Sequence, residues 1–310
     1  MNLGGVKMKI IGLDIGNAEV NTSEGVHFPS RVKIGVNNMN KDDIKVNFEG
    51  LDFTIGQGSN NIGLNKYKNI NFKISVLVGI AKSFKENDIE CNVVIGCPIE
   101  TFNKNKEIVK DIKGIIESWG KQTIVIDQGE SKEIKVIDIK NVAIFCESGI
   151  VFKNRERFSK EKTLVVDIGG GTRDDSLWNG LDLVECKSND KMGMINLYET
   201  IIKEVNRRNK SNLNFDDAKA MIGKKEYKIN QEIVDISYID IIIENFVTGF
   251  MSEINQIFPF SNVDSIQFVG GGAILLKEYI TRLIPKAEVP NNAEFLNAET
   301  YREVGELMWS

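Results

Sequence analysis

Thr163-Leu164-Val165-Val166-Asp167-Ile168-Gly169-Gly170-Gly171-Thr172-Arg173-Asp174 is the stretch on which the reading of this chain turns. An apolar, β-branched run enters an acidic residue, three glycines and a hydroxyl. The pattern predicts a buried strand running into a tight hairpin whose backbone can lie directly against a ligand. Glycine removes the Cβ atoms that would hold a phosphate away, and the exposed N–H groups offer donors to its oxygens. Asp167 would repel a phosphate by itself. A carboxylate at such a loop therefore implies a divalent cation between the two, with Mg²⁺ the natural fit. Taken alone, the string also fits a glycine-rich β-turn with no ligand.

A second copy lies near the N-terminus, where Lys9-Ile10-Ile11-Gly12-Leu13-Asp14-Ile15-Gly16-Asn17 is again an apolar strand ending in Asp-x-Gly. The two hairpins stand about half the chain apart, which predicts two similar halves offering one loop each to a triphosphate. A third glycine run, Gly270-Gly271-Gly272, follows the apolar strand Ser265 to Val269 and opens an apolar helix expected over Ile274 to Leu283. Glycines at a strand-to-helix junction admit a flat ligand and set a helix N-terminus beside it.

In this order, with the Glu147-Ser148 segment between the two Asp-x-Gly hairpins, the chain resembles the actin, heat-shock chaperone and sugar-kinase ATPase superfamily. Within it the chain is most similar to the bacterial plasmid-segregating actins of the ParM type. Phe28-Pro29-Ser30-Arg31-Val32 resembles their Pro-Ser-Arg strand, and Val94-Ile95-Gly96-Cys97-Pro98-Ile99 their Gly-x-Pro segment. Phe145-Cys146-Glu147-Ser148-Gly149 resembles their Pro-Glu-Ser connection, with Cys146 in place of the proline.

The resemblance implies an α/β actin-like fold, two similar domains flanking a nucleotide cleft, each with a smaller subdomain. The expected boundaries are residues 1–146, with an inserted subdomain near 37–69 and the final helix, 295–310, packing back, and residues 147–294, with a subdomain near 193–250. It implies Mg²⁺ with ATP or ADP, GTP or GDP being the alternative. Gly16 and Asn17 would clamp the phosphates from one side and Gly169, Gly170, Gly171 and Thr172 from the other. Asp14 and Asp167 would hold Mg²⁺ through its waters, since Mg²⁺ dehydrates reluctantly. Glu147 is expected to polarise the attacking water, with Asp174 the second candidate. Gly270, Gly271 and Gly272 would close on the nucleoside. Lys203 and Glu204 match the Lys-Glu pair that meets adenine and ribose in the superfamily, although their spacing fits an ordinary solvated helix face equally well. One departure stands out: the family's first hairpin carries a lysine seven residues after the aspartate, where this chain has Asn21. The loss of that charge would slow hydrolysis, alter nucleotide preference, or be offset by Lys191 or another cation.

Composition agrees. With 310 residues the chain is long enough for two domains of usual size, and a net charge of −5 argues against a nucleic-acid-binding surface. No apolar run approaches the roughly 18 residues needed to span a bilayer. Residues 1–10 lack the pattern of a signal peptide, so a cytoplasmic location is expected. Cys91, Cys97, Cys146 and Cys186 have no CxxC spacing; Cys91, Cys97 and Cys146 lie within or at the ends of apolar strands, which favours buried free thiols over disulfides or zinc, and His27 is the only histidine.

Helices are expected over Ile70 to Phe84, Lys104 to Trp119, 193–209, 215–223, 231–257 and Ala298 to Trp309, with separate strands at Glu133–Ile137 and Val142–Phe145. Two functions compete. One is a filament subunit whose head-to-tail contacts generate an open polymer, with a DNA-binding adaptor of the ParR type as partner and no direct contact with nucleic acid or membrane. The other is a kinase of a sugar or acid on the same fold.

Overall fold

The computed structural model describes residues 8–35, 43–58, 64–129 and 131–309. Parts of the subdomain expected near 37–69 therefore lie outside the described residues. The chain divides into two compact units, Met1–Arg155 with Phe295–Ser310, and Glu156–Glu294.

In the first unit the strand Lys9–Ile15 pairs antiparallel with Glu19–Thr22, which pairs antiparallel with His27–Pro29. On its other edge it runs parallel to Asp88–Cys97, itself parallel to Ser131–Cys146. The start of this last strand also pairs antiparallel with Gln122–Gln128, and from there the sheet continues through Lys45–Phe48 and Leu51–Ile55 to Val32–Ile34. Alternation along Lys9–Ile15 decides what each face meets. Ile11, Leu13 and Ile15 enter the core beneath the helix Ile70–Ser83, with Phe72, Ile74, Leu77 and Val78. Each such aliphatic side chain contributes about 1.5–3 kcal/mol when fully buried. The opposite face, with Ile10, Gly12 and Asp14, is covered by the helix Leu296–Trp309. The close fit of this helix shows at Gly305, where a Cβ would lie 2.7 Å from Ile10 and 2.9 Å from Val94.

The second unit repeats the plan. Lys162–Ile168, Arg173–Asn179 and Asp182–Asn189 form an antiparallel meander, and Lys162–Ile168 is also parallel to Ser265–Val269, which is parallel to Ala287–Glu288. The run His27–Pro29, Glu19–Thr22, Lys9–Ile15, Asp88–Cys97 and Ser131–Cys146 within the nine-stranded sheet has the same arrangement, a three-stranded meander followed by two parallel strands, as the five-stranded sheet of the second unit. Leu164, Val166 and Ile168 face the core formed with Met194–Asn209 and Ile239–Ile257, which turns Asp167 to the other face.

Several expected elements differ. Residues 231–238 are not helix: Glu226–Ile229 and Glu232–Asp235 form a hairpin, and the helix starts at Ile239. Asn230 and Gln231, at φ of 50° and 71°, make the turn that separates them. The two strands expected in 133–145 are one strand, Ser131–Cys146, kept continuous by a register shift opposite Cys91/Asn92. The helix expected from Lys104 breaks at Asn105, whose side chain accepts from the Ile108 amide and caps a new helix, Lys106–Glu117. That expected over Ile274 to Leu283 is two short helices, Gly271–Leu275 and Lys277–Leu283. All four cysteines are buried thiols outside any disulfide.

Candidate functional site

The first hairpin places Asp14 directly opposite Asn21 in the antiparallel register, so their side chains share a face. Between the strands, the carbonyls of the turn are tied down from outside. The Ser30 amide donates to the Ala18 carbonyl at 2.9 Å and its hydroxyl to the Asn17 carbonyl at 2.8 Å. The Lys66 ammonium donates to the Ile15 carbonyl at 2.7 Å. No acceptor stands opposite the amides of Gly16, Asn17 and Ala18 among the described residues. Carbonyls pinned backward and amides left forward make a donor-lined concavity suited to an anion.

The second hairpin reaches the same result with different parts. The Gly169 amide closes the turn on the Thr172 carbonyl at 3.0 Å. The first two amides of the helix Met194–Asn209 then take the loop carbonyls, Met194 that of Gly169 at 3.0 Å and Ile195 that of Gly170 at 2.9 Å. This docking requires Gly193, where a Cβ would stand 2.5 Å from the Gly171 carbonyl carbon and 2.7 Å from the Thr172 nitrogen. The amides of Gly170, Gly171 and Thr172 are left without a backbone acceptor among the described residues. These helix amides are consumed by the loop, so the loop, not the helix terminus, presents the donors.

Asp167 is only 5 % exposed and lies directly opposite Asp174, whose carboxylate accepts from the Ser188 hydroxyl. Gly270 completes this corner at φ 85°, and a Cβ there would collide with the Asp167 carboxylate and stand 2.6 Å from the Ile168 carbonyl. The third glycine run is thus fixed against the second hairpin. Gly272 lies under Ile168 and Met194, whereas Gly271 faces open space.

Glu147 follows the strand Ser131–Cys146, its amide bonded to the Cys97 carbonyl at 2.8 Å. Next to it, Ser148 adopts φ 57°, a left-handed conformation costly for a residue with a Cβ. Asn297 holds this turn. Its carboxamide oxygen accepts from the Ser148 amide at 3.2 Å and its nitrogen donates to Asp14 at 3.4 Å. One side chain from the last helix thereby ties the Glu147 turn to the first aspartate. Burial pushes the Asp14 carboxyl up, opposed by the Lys66 charge and the Asn297 hydrogen bond.

Among the expected nucleoside contacts, Lys203 is exposed and Glu204 is bonded to Arg207 at 2.8 Å and Arg208 at 2.5 Å on its own helix. These arginines hold the Glu204 carboxyl down to about 2. Lys191 is also exposed.

No group of three or more acidic, histidine or cysteine side chains able to cage a metal exists among the described residues. By donor chemistry, Asp14 within its own unit and, separately, Asp167 opposite Asp174 within the other each offer carboxylates of the kind that suits a cation keeping most of its water, as Mg²⁺ does.

Ser30, Lys66 and Asn297 were not legible as site residues. Asn297 left a trace, being a polar residue on the apolar stripe of Leu296, Ala298 and Tyr301, and Ser30 lay within the quoted Pro-Ser-Arg segment.

A family model for the N-terminal domain of actin-like proteins matches residues 12–148, and one for the C-terminal domain of the archaeal actin homologue, MreB-like, matches residues 165–282. Each half of the chain thus matches a domain model of actin-type proteins. The chain's two-domain α/β fold is the actin-like fold. The archaeal actin homologue Ta0583 superposes with a TM-score of 0.80 at 18 % identity, covering 97 % of this chain and 100 % of its own. A complex of Ta0583 with ADP gives 0.77 at 19 % identity, over 97 % and 100 % of the two chains. The subunit of a 15-stranded ParM filament from Clostridium botulinum gives 0.78 at 20 % identity, over 97 % and 99 %. No curated protein matches this actin-like chain. Among the described residues no helix is long and apolar enough to cross a membrane.

Proposed function

We propose that this actin-like protein is a nucleotide-dependent, filament-forming ATPase of the ParM type that moves plasmid DNA through an adaptor of the ParR kind. The observation that carries the reading is the repeated device at the two hairpins: an Asp-x-Gly turn with its carbonyls pinned from behind and its amides unclaimed. A triphosphate, rich in acceptor oxygens, is the ligand such a pair of loops suits. That the archaeal homologue forms a complex with ADP, and that the ParM subunit of similar fold builds filaments, supports the same reading.

In this proposal the amides of Gly16 and Asn17 and those of Gly170, Gly171 and Thr172 hold the phosphates of one nucleotide, Gly169 shaping the loop through its bond to the Thr172 carbonyl, and Gly270–Gly272 lie against the nucleoside. Asp14 and Asp167 orient waters on Mg²⁺, which neutralises phosphate charge when bound. Glu147, held by the Ser148–Asn297 bond, polarises the attacking water, with Asp174 as the alternative. Lys203 reaches the base or ribose. Glu204 joins it only by exchanging its two arginines.

Light scattering and negative-stain microscopy after addition of Mg²⁺ with ATP or GTP test the proposal. Filaments should appear with a triphosphate and disassemble as phosphate is released. Glu147→Ala should still assemble while releasing phosphate more slowly. Protein that stays monomeric with every nucleotide, and transfers phosphate to a sugar or acid, would make it a kinase instead.

A further inference from the structure

Asn21 stands where the resemblance noted above implies a lysine, and the fold brings another cation to the same hairpin. Lys66 lies in the short 3₁₀ turn Leu64–Lys68, far from the hairpin in sequence, yet its ammonium ends at the Ile15 carbonyl, next to Asp14 and just before Gly16. The residue is only 7 % exposed. An ammonium has three donors. The Ile15 carbonyl takes one, the Tyr67 ring lies 5.5 Å from the ammonium, and among the described residues no second hydrogen bond from the ammonium is formed. A desolvated ammonium with donors to spare is costly unless an anion completes it. The Asp14 carboxylate supplies part of the field, since its charge and that of Lys66 attract. Asn21, 8 % exposed and on the same face as Asp14, has a carboxamide oxygen with no partner among the described residues.

We propose that Lys66 is the phosphate-binding cation of the first hairpin, replacing in space the lysine that Asn21 replaces in sequence. Its remaining donors point the same positive charge at the phosphates that the Gly16 and Asn17 amides bind. The inference rests on the nucleotide-binding reading above and adds to it which residue reads the phosphate charge. The alternative is that Lys66 merely braces the hairpin through Ile15.

Calorimetric titration of the full chain with Mg-ATP separates these. Lys66→Gln keeps an N–H donor for the Ile15 carbonyl and removes the charge. It should bind Mg-ATP about tenfold or more weakly, the effect of losing one charge-assisted hydrogen bond. Lys66→Gln combined with Asn21→Lys returns a cation beside Asp14, and affinity should recover to within about threefold of wild type. Wild-type affinity in Lys66→Gln, or no recovery in the double variant, overturns the inference while leaving nucleotide binding intact. A wild-type protein that binds no nucleotide overturns the function itself. Should Lys66→Gln fail to fold, the wild-type complex with Mg-ADP decides: the Lys66 ammonium within about 3 Å of a phosphate oxygen supports the inference, and one that bonds only to Ile15 refutes it.

Discussion

Asn297 is the sharpest single test of how the first half is built. Asn297→Ala removes the acceptor of the fully buried Ser148 amide and the donor to the half-buried Asp14 carboxylate. Loss of the partner of a buried amide costs about 1–3 kcal/mol, and the longer bond to Asp14 adds about 1 kcal/mol. The sum, about 2–4 kcal/mol, should lower the melting temperature of this unit by roughly 5–15 °C. Scanning calorimetry of the wild type and the variant reads it directly.

Asn297→Asp divides the two bonds. It keeps the acceptor for Ser148 but sets a second carboxylate against Asp14, and like charges at that distance raise the pKa of one of the pair. A carboxyl whose folded pKa is raised disfavours the folded state once ionised. The deficit of this variant should therefore be largest near pH 8 and shrink as pH falls toward 5. Should Asn297→Ala melt within about 0.5 kcal/mol of wild type, the tether between the Glu147 turn and Asp14 does not hold the fold.

Gly193→Ala drives a Cβ to 2.5 Å from backbone of the second glycine loop. It should cost about 1–3 kcal/mol and weaken Mg-ATP binding, and melting together with calorimetric titration would show neither change if the helix does not support the loop. Arg173 and Asp175 form a fully buried bidentate pair, with Glu253 3.5 Å beyond. In urea unfolding, Arg173→Ala should lose about 3–5 kcal/mol by stranding Asp175, whose carboxyl burial already pushes up, whereas Arg173→Met with Asp175→Leu should fall near wild type. Glu204 should titrate near 2 by NMR and return to about 4.3 when Arg207 and Arg208 are both alanine. Its folded pKa is depressed, so the stabilisation it gives is present above the unfolded value and is lost as pH falls toward 2.

Both hairpins and the third glycine run were legible because their signals are local: alternating apolar residues, an acid, then glycines at fixed offsets. The parts that make those loops usable were not, because their partners are distant. Lys66 meets Ile15 across 51 positions, Asn297 meets Asp14 across 283, and neither residue carries a local sign of so distant a partner. Lys135 shows the same blindness: it lies in the long strand but buries its ammonium to cap the carbonyls of Phe84, Lys85 and Glu86 at 3.2, 3.0 and 3.1 Å. The hairpin before Ile239 was missed for a different reason. Its turn places Asn230 and Gln231 at positive φ without the usual glycine, and Ile233-Val234 continue the apolar pattern of the helix that follows.

In the proposed function the two Asp-x-Gly hairpins bind one Mg-nucleotide, and calorimetric titration with ATP in the presence and absence of Mg²⁺ decides whether they do. One nucleotide should bind per chain, about tenfold or more tightly with Mg²⁺, and the Mg²⁺ effect should be lost in Asp14→Asn and Asp167→Asn. Absence of binding, or affinity indifferent both to Mg²⁺ and to the two substitutions, would contradict it.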